Sequence, residues 1–205
     1  MSDKERIFNR VLGLYSRYGI KSITMDDICR ELGISKKTLY QLVKDKQDLI
    51  DRVIAYEMDL YRKTTDSMKL KGLNAIEELI HVNHRIHTSH TIHSPTFYYD
   101  LKKYYPDIHA KMVEHKRKRM YELTRHNLEK GIREGLYRED LNPHMIARLY
   151  MARVEMMSNH ELIEEEESES LEFIREIFVY HLHGILNEDG RKFIENQKEK
   201  LFIKN

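Results

Sequence analysis

Proline and glycine are scarce in this chain of 205 residues, which has three of the first and eight of the second. Both residues punctuate turns and interrupt helices, so a loop-rich or strand-rich fold has few places to turn. Together with many Glu, Lys and Leu, this predicts an all-α protein. Cysteine occurs once, at Cys29, which rules out a disulfide within the chain and fits a reducing, cytoplasmic setting. Neither sign of charge is in excess: 35 Lys and Arg against 34 Asp and Glu leave a formal +1. Any nucleic-acid role must therefore rest on positive charge gathered locally. No apolar N-terminal run and no stretch of about 18 apolar residues is present, so neither a signal peptide nor a membrane span is expected. Catalytic signatures are missing too: no G-x-S-x-G elbow, no phosphate loop, no Cys–His partner and no second Glu-x-x-His pair. Neither an enzyme nor a bound cofactor is expected.

What is present concentrates in residues 24–46, TMDDICRELGISKKTLYQLVKDK. Ile28 and Leu32 suit one short helix, and Leu39 with Leu42 another. Between them Gly33 supplies the residue that a sharp bend needs. Each half opens on a capping hydroxyl: Thr24, with Asp27 at capping-box spacing, and Ser35. Lys36, Lys37, Thr38, Tyr40 and Gln41 are left on the outward side of the second helix, as phosphate and base-edge donors. The pattern is a helix-turn-helix that reads DNA. Lys46 lies just beyond it, and Thr24 and Ser35 double as phosphate donors at helix N-termini.

These residues resemble the tetracycline-repressor (TetR) family of bacterial transcriptional regulators. The resemblance runs from Ile7 to about Ile54 and includes RIFNRVLGLYSRYGIKSIT, the IxxELGIS turn, TLY in the second helix and DKQDL after it. Val11 and Cys29 stand where the family usually has alanine, Lys37 where glycine is common, and Val43 where an aromatic is usual. The resemblance implies a DNA-binding head over residues 1–47 and a larger helical ligand-binding and dimerisation domain over 48–205. It also implies that Lys46 grips a phosphate and that central helices enclose a small-molecule effector.

Apolar periodicity predicts helices over about 3–18, 48–68, 75–89, 95–105, 106–131, 143–159 and 171–186, then a charged last helix after a break at Gly190. The 143–159 and 171–186 segments carry nearly two apolar stripes each, more than a single core requires. They are expected to pair with their copies in a homodimer, with Phe178 and Leu182 in the seam. Tyr61, His84, Phe97, Tyr98, Met112, His115, Arg119 and Tyr150 are the candidate effector-lining residues, the alternative for each being ordinary core or surface. The histidines 81, 84, 87, 90 and 93 drift by roughly 60° per step around a helix and so do not converge on one ion; no metal site is expected. The run HKRKRM, His115 to Met120, reads as a solvated face with ion pairs, and the acids at 164–167 as a solvated loop.

The expectation is thus a homodimeric, ligand-responsive regulator, a repressor, on a near-palindromic double-stranded operator. The alternatives are a constitutive or architectural DNA-binding protein without an effector and, more remotely, a metal-binding helical protein.

Overall fold

The computed structural model describes residues 3–69, 72–89, 94–157 and 170–201. Among them ten helices follow in order: α1 (Asp3–Tyr18), α2 (Met25–Leu32), α3 (Lys36–Leu42), α4 (Lys46–Lys69), α5 (Ala75–Ser89), α6 (Pro95–Tyr104), α7 (Pro106–Arg133), α8 (Pro143–Met157), α9 (Leu171–Ile185) and α10 (Glu188–Leu201). The fold class is all-α, as the scarcity of turn residues predicted. Ser94 caps α6 by accepting the Phe97 N–H, and Pro95 occupies its first turn, where a missing N–H costs nothing. The acidic 164–167 run lies outside the described residues.

The chain divides into two compact units, Met1–Asp66 with Ile86–Lys116, and Ser67–Arg85 with Arg117–Asn205. In the first, Val11, Tyr15, Ile20, Ile28 and Leu39 share one core with Leu49, Ile50, Val53 and Ile54 of α4. Phe97 and Leu101 of α6, and Ile108 and Met112 of α7, complete it. The three N-terminal helices therefore do not pack alone. Polar ties reinforce this: the Ser94 N–H donates to the Ser16 carbonyl at 2.9 Å, and the Lys21 N–H donates to the buried Asp100 carboxylate at 2.7 Å.

The second unit buries Ala75, Ile76, Leu128, Tyr137, Ala147, Phe178, Leu182, Ile185 and Ile194 together. Buried Asn127 and Glu78 find polar partners there, as burial demands. Asn127 donates to the Ala75 carbonyl at 2.8 Å and accepts the Tyr137 hydroxyl at 3.0 Å. Lys130 pairs with the largely buried Glu78 at 2.6 Å.

Two expectations are corrected here. Phe178 and Leu182 are 5% and 2% exposed within this unit's own core, so they do not form a seam with a second copy. The stripe read along α9 is the inward face; the outward one carries Tyr180. Gly190 does not break the chain either. Helix α10 starts at Glu188, its first turn capped by Asn187, whose side-chain oxygen accepts the Gly190 N–H at 2.9 Å. Gly190 is there for close approach, because a Cβ would sit 2.2 Å from the Leu136 carbonyl oxygen.

Candidate nucleic-acid interface

Local chemistry builds this site from its two helix starts. Thr24 caps α2: its hydroxyl accepts the Asp27 N–H at 3.1 Å, while the Asp27 carboxylate accepts the Thr24 N–H at 3.0 Å. The Thr24 hydroxyl, which also donates to the Asp27 carboxylate at 2.6 Å, and then the Thr24 N–H lower the pKa of that carboxyl. Helix α2 ends at Gly33, whose φ of 65° is left-handed, and the Gly33 and Ile34 N–H groups close onto the Arg30 and Cys29 carbonyls. Ser35 then caps α3, accepting the Thr38 N–H at 3.0 Å. Arg10 donates to the Glu31 carbonyl at 2.8 Å and fastens α1 to the end of α2.

Helix α3 has seven residues and buries Leu39, with Val43 buried just after it. That anchoring turns Lys36, Lys37, Thr38, Tyr40 and Gln41 outward, all exposed. Lys36 pairs with Asp26 at 2.8 Å, and this bond raises the lysine pKa. The pair is open to solvent on both sides and is weak in salt, so the ammonium can be exchanged to a phosphate. Among the described residues, Lys37, Tyr40 and Gln41 have no hydrogen-bond or ion-pair partner. The face is short, cationic and aromatic, which suits the edges of bases in a groove.

Lys46 is placed differently from its neighbours. Its ammonium donates to the Ile20 carbonyl at 2.7 Å and lies 3.5 Å from that of Lys21. Partial burial lowers its pKa. It staples the start of α4 to the loop that leads into α2, a role that sequence spacing did not reveal. Lys21 and Asp100, which tie that loop to α6, were also missed; their separation of 79 residues gives no local signal.

The candidate effector residues are dispersed. Phe97 and Met112 are fully buried in the first unit's core. Tyr61 and His115 of that unit are half-buried, the His115 Nε2 without a hydrogen-bond partner, and Tyr98 is exposed, with Lys116 5.7 Å from its ring centroid. In the second unit Arg119 is half-buried, and Tyr150 is buried against the His181 ring at 4.9 Å. His81 is exposed, while the side chains of His84 and His87, with His90 and His93, lie outside the described residues. In the HKRKRM run, Lys116 meets Glu57 at 3.6 Å and Arg117 meets Glu155 at 2.7 Å, partners on other helices rather than the next turn. Among the described residues no group of three or more His, Cys, Asp or Glu is placed to hold a metal. No helix among them is long and apolar enough to cross a membrane.

Residues 12–53 match the family model for bacterial regulatory proteins of the tetR family. A helix-turn-helix (HTH)-type transcriptional regulator of Staphylococcus aureus (strain USA300) is 37% identical over 59 residues, 29% of this chain and 32% of that protein. The match thus spans about a third of the curated relative's length. Among solved structures, a transcriptional regulator from Cytophaga hutchinsonii superposes with a TM-score of 0.73 at 17% identity, over 90% of this chain and 98% of that one. A transcriptional regulator from Saccharomonospora viridis, solved in complex with choline, gives 0.69 at 17% identity over 92% and 100%. At such identities the likeness is one of fold.

Proposed function

We propose that the chain is a tetR-family bacterial regulator, whose family model matches residues 12–53, and that it acts as a cytoplasmic, homodimeric, ligand-responsive transcriptional repressor. The observation that carries the DNA reading is the outward face of α3, where Lys37, Tyr40 and Gln41 are exposed and without partners among the described residues. Residues 1–47 read the operator and residues 48–205 pair the subunits and take the effector. Each head sets α3 in a major groove, with half-sites about one or more turns apart, on the order of 34–36 Å per turn.

The dimer reading rests on a second apolar face. Met145, Leu149 and Met156 of α8 are 60%, 66% and 40% exposed, at positions that line one side of the helix. Tyr180 of α9 is 82% exposed. Apolar side chains in such a row gain free energy when a like row covers them. A small molecule among residues 48–205 then favours the conformation whose heads no longer match the half-site spacing, which requires unequal affinity for the two states. That the Saccharomonospora viridis regulator was solved in complex with choline supports a small-molecule effector for this chain.

Selection from random duplexes, followed by fluorescence anisotropy, tests the proposal. A near-palindromic duplex should be enriched, and Tyr40→Ala with Lys37→Ala should lose affinity for it. No enrichment, or full affinity in that double variant, would overturn the assignment of α3.

A further inference from the structure

The basic surface of the first unit does not stop at the helix-turn-helix. Lys21, in the loop before α2, donates from its ammonium to the Tyr104 hydroxyl at 2.9 Å and lies 4.6 Å from that ring's centroid. Lys103, on the last turn of α6, lies 5.5 Å from the same ring centroid. It also donates to the Tyr99 hydroxyl at 2.6 Å and sits 5.0 Å from the Tyr99 centroid. Two ammonium groups are thus held against one tyrosine, close enough to repel each other. Lys102 stands exposed next to them in sequence.

Among the described residues no carboxylate forms an ion pair with Lys21, Lys102 or Lys103. The nearest acid, Asp100, is 4% exposed and spends its carboxylate on the Lys21 backbone N–H at 2.7 Å. It fixes the loop through that bond, and its charge reaches the Lys21 ammonium without forming an ion pair with it. Like charges pinned side by side by tyrosine hydroxyls and ring faces form a prepared anion site.

We propose that Lys21, Lys103 and Tyr104 form a second DNA-backbone contact, taking a phosphate that flanks the half-site read by α3. The occupant follows from position. Lys21 precedes the Thr24 cap by three residues, and the Lys46 ammonium staples the same loop through the Ile20 carbonyl. A duplex presents an unbroken row of phosphates, so a head engaged at the α2 N-terminus has further phosphates beside it. The inference rests on the helix-turn-helix reading and extends its footprint to α6.

The test compares wild type with Lys21→Gln/Lys103→Gln on the selected duplex and on a scrambled one, over a series of salt concentrations. Each phosphate no longer gripped should lower the slope of log affinity against log salt by about 0.9, so a dimer should lose about 1.8 with one such phosphate per head, equally on both duplexes. Ethylation interference should lose its outermost phosphate, and Lys21→Arg/Lys103→Arg should keep both signals. If the double glutamine variant melts early, Lys103→Gln alone carries the test, since its side chain touches only exposed tyrosines. An unchanged slope and interference pattern would overturn the proposal. So would saturable binding of inorganic phosphate that the variant loses while its DNA slope stays put, because the site would then serve a free anion. A wild type with no affinity for any duplex would instead bring down the helix-turn-helix reading itself.

Discussion

Helix α3 and the pair α8 and α9 leave different chemistry on their uncovered sides. Helix α3 buries Leu39 and turns lysine, threonine, tyrosine and glutamine outward. Helix α9 buries Phe178, Leu182 and Ile185 and leaves Tyr180 82% exposed beside the exposed Glu172, Arg175, Glu176 and His183, while α8 exposes the row Met145, Leu149 and Met156. Water satisfies the first outward face, and a polyanion competes with water for it. Water does not satisfy the row Met145, Leu149 and Met156, and covering each of these large side chains gains roughly 1.5–3 kcal/mol. The difference teaches that the outward side of a helix, more than its core side, points to its partner: the proposed nucleic acid for α3, the proposed second apolar face for α8 and Tyr180 of α9.

The harshest way to break this contrast is to put a charge on each side of α9. Phe178→Glu places a carboxylate in the unit's own core, where the missing packing and the buried charge together cost at least about 4 kcal/mol. Loss of cooperative unfolding in circular dichroism is expected. Tyr180→Glu and Leu149→Glu meet only solvent in the free chain, so each should fold normally and sediment as a monomer. If both remain dimers in analytical ultracentrifugation, the outward rows of α8 and α9 are not the seam.

A second test separates burial from exposure by pH. His181 of α9 packs on Tyr150, and the cation facing it is Arg153, whose guanidinium lies 4.5 Å from the Tyr150 ring centroid and donates to the Ile177 carbonyl at 3.0 Å. Burial first, and the Arg153 charge second, push the imidazole pKa down to about 4. An unfolded histidine titrates near ~6.5, so as pH falls the unfolded chain takes up its proton first. The stability associated with neutral His181 is intact above that value and is lost from there down to about 4, on the order of 3 kcal/mol in all. Urea unfolding at neutral pH and at about pH 5 should show wild type losing roughly 2 kcal/mol more than His181→Leu. Equal losses would mean that the imidazole is solvated or paired.

How far the sequence was legible follows the same divide. The capping hydroxyls at Thr24 and Ser35, Gly33 in the turn and the Leu39 anchor are local, and each stands where residue spacing alone put it. Two-sided apolar character in α8 and α9 was legible, but not which side faced inward. Periodicity gives the angle between stripes and carries no information about what lies against each. Periodicity therefore points to Phe178 and Leu182 for the seam, whereas the structure buries both and exposes Tyr180. The staple from Lys46 to the Ile20 carbonyl and the clasp from Asp100 to Lys21 join residues 26 and 79 apart. Their geometry exists only once the helices have packed.

On α3 itself, Lys37 and Lys46 should part company. Lys37, outward and without a partner among the described residues, is placed to reach a base edge. Lys37→Ala should weaken the selected duplex more than a scrambled one, by about 1–3 kcal/mol for each base edge it no longer reads. Lys46→Ala should weaken both duplexes alike and lower the salt slope by about 1.8 in a dimer. It should also lower the melting temperature, because the staple to Ile20 goes with it. A lower melting temperature with an unchanged slope would make Lys46 a staple alone.

The smallest effect expected is also the one that best separates holding α3 from using it. Ser35 Oγ accepts the Thr38 N–H at 3.0 Å and lies 2.8 Å from the Thr38 hydroxyl, so it satisfies a donor that no carbonyl can reach in the first turn. Ser35→Ala removes that acceptor and should cost about 1 kcal/mol in urea unfolding. Ser35→Asp keeps an acceptor at the cap and suits the positive end of the helix, so its stability should stay within a few tenths of a kcal/mol of wild type. A carboxylate there would nonetheless face a phosphate if Ser35 meets the DNA backbone, and repulsion should weaken binding to selected and scrambled duplexes together. Loss of stability in Ser35→Ala with intact binding in Ser35→Asp would confine Ser35 to the fold. Intact stability with abolished binding in Ser35→Asp would put the cap and the phosphate on the same oxygen, since the aspartate keeps the capping acceptor but brings a negative charge and no hydroxyl donor to the DNA.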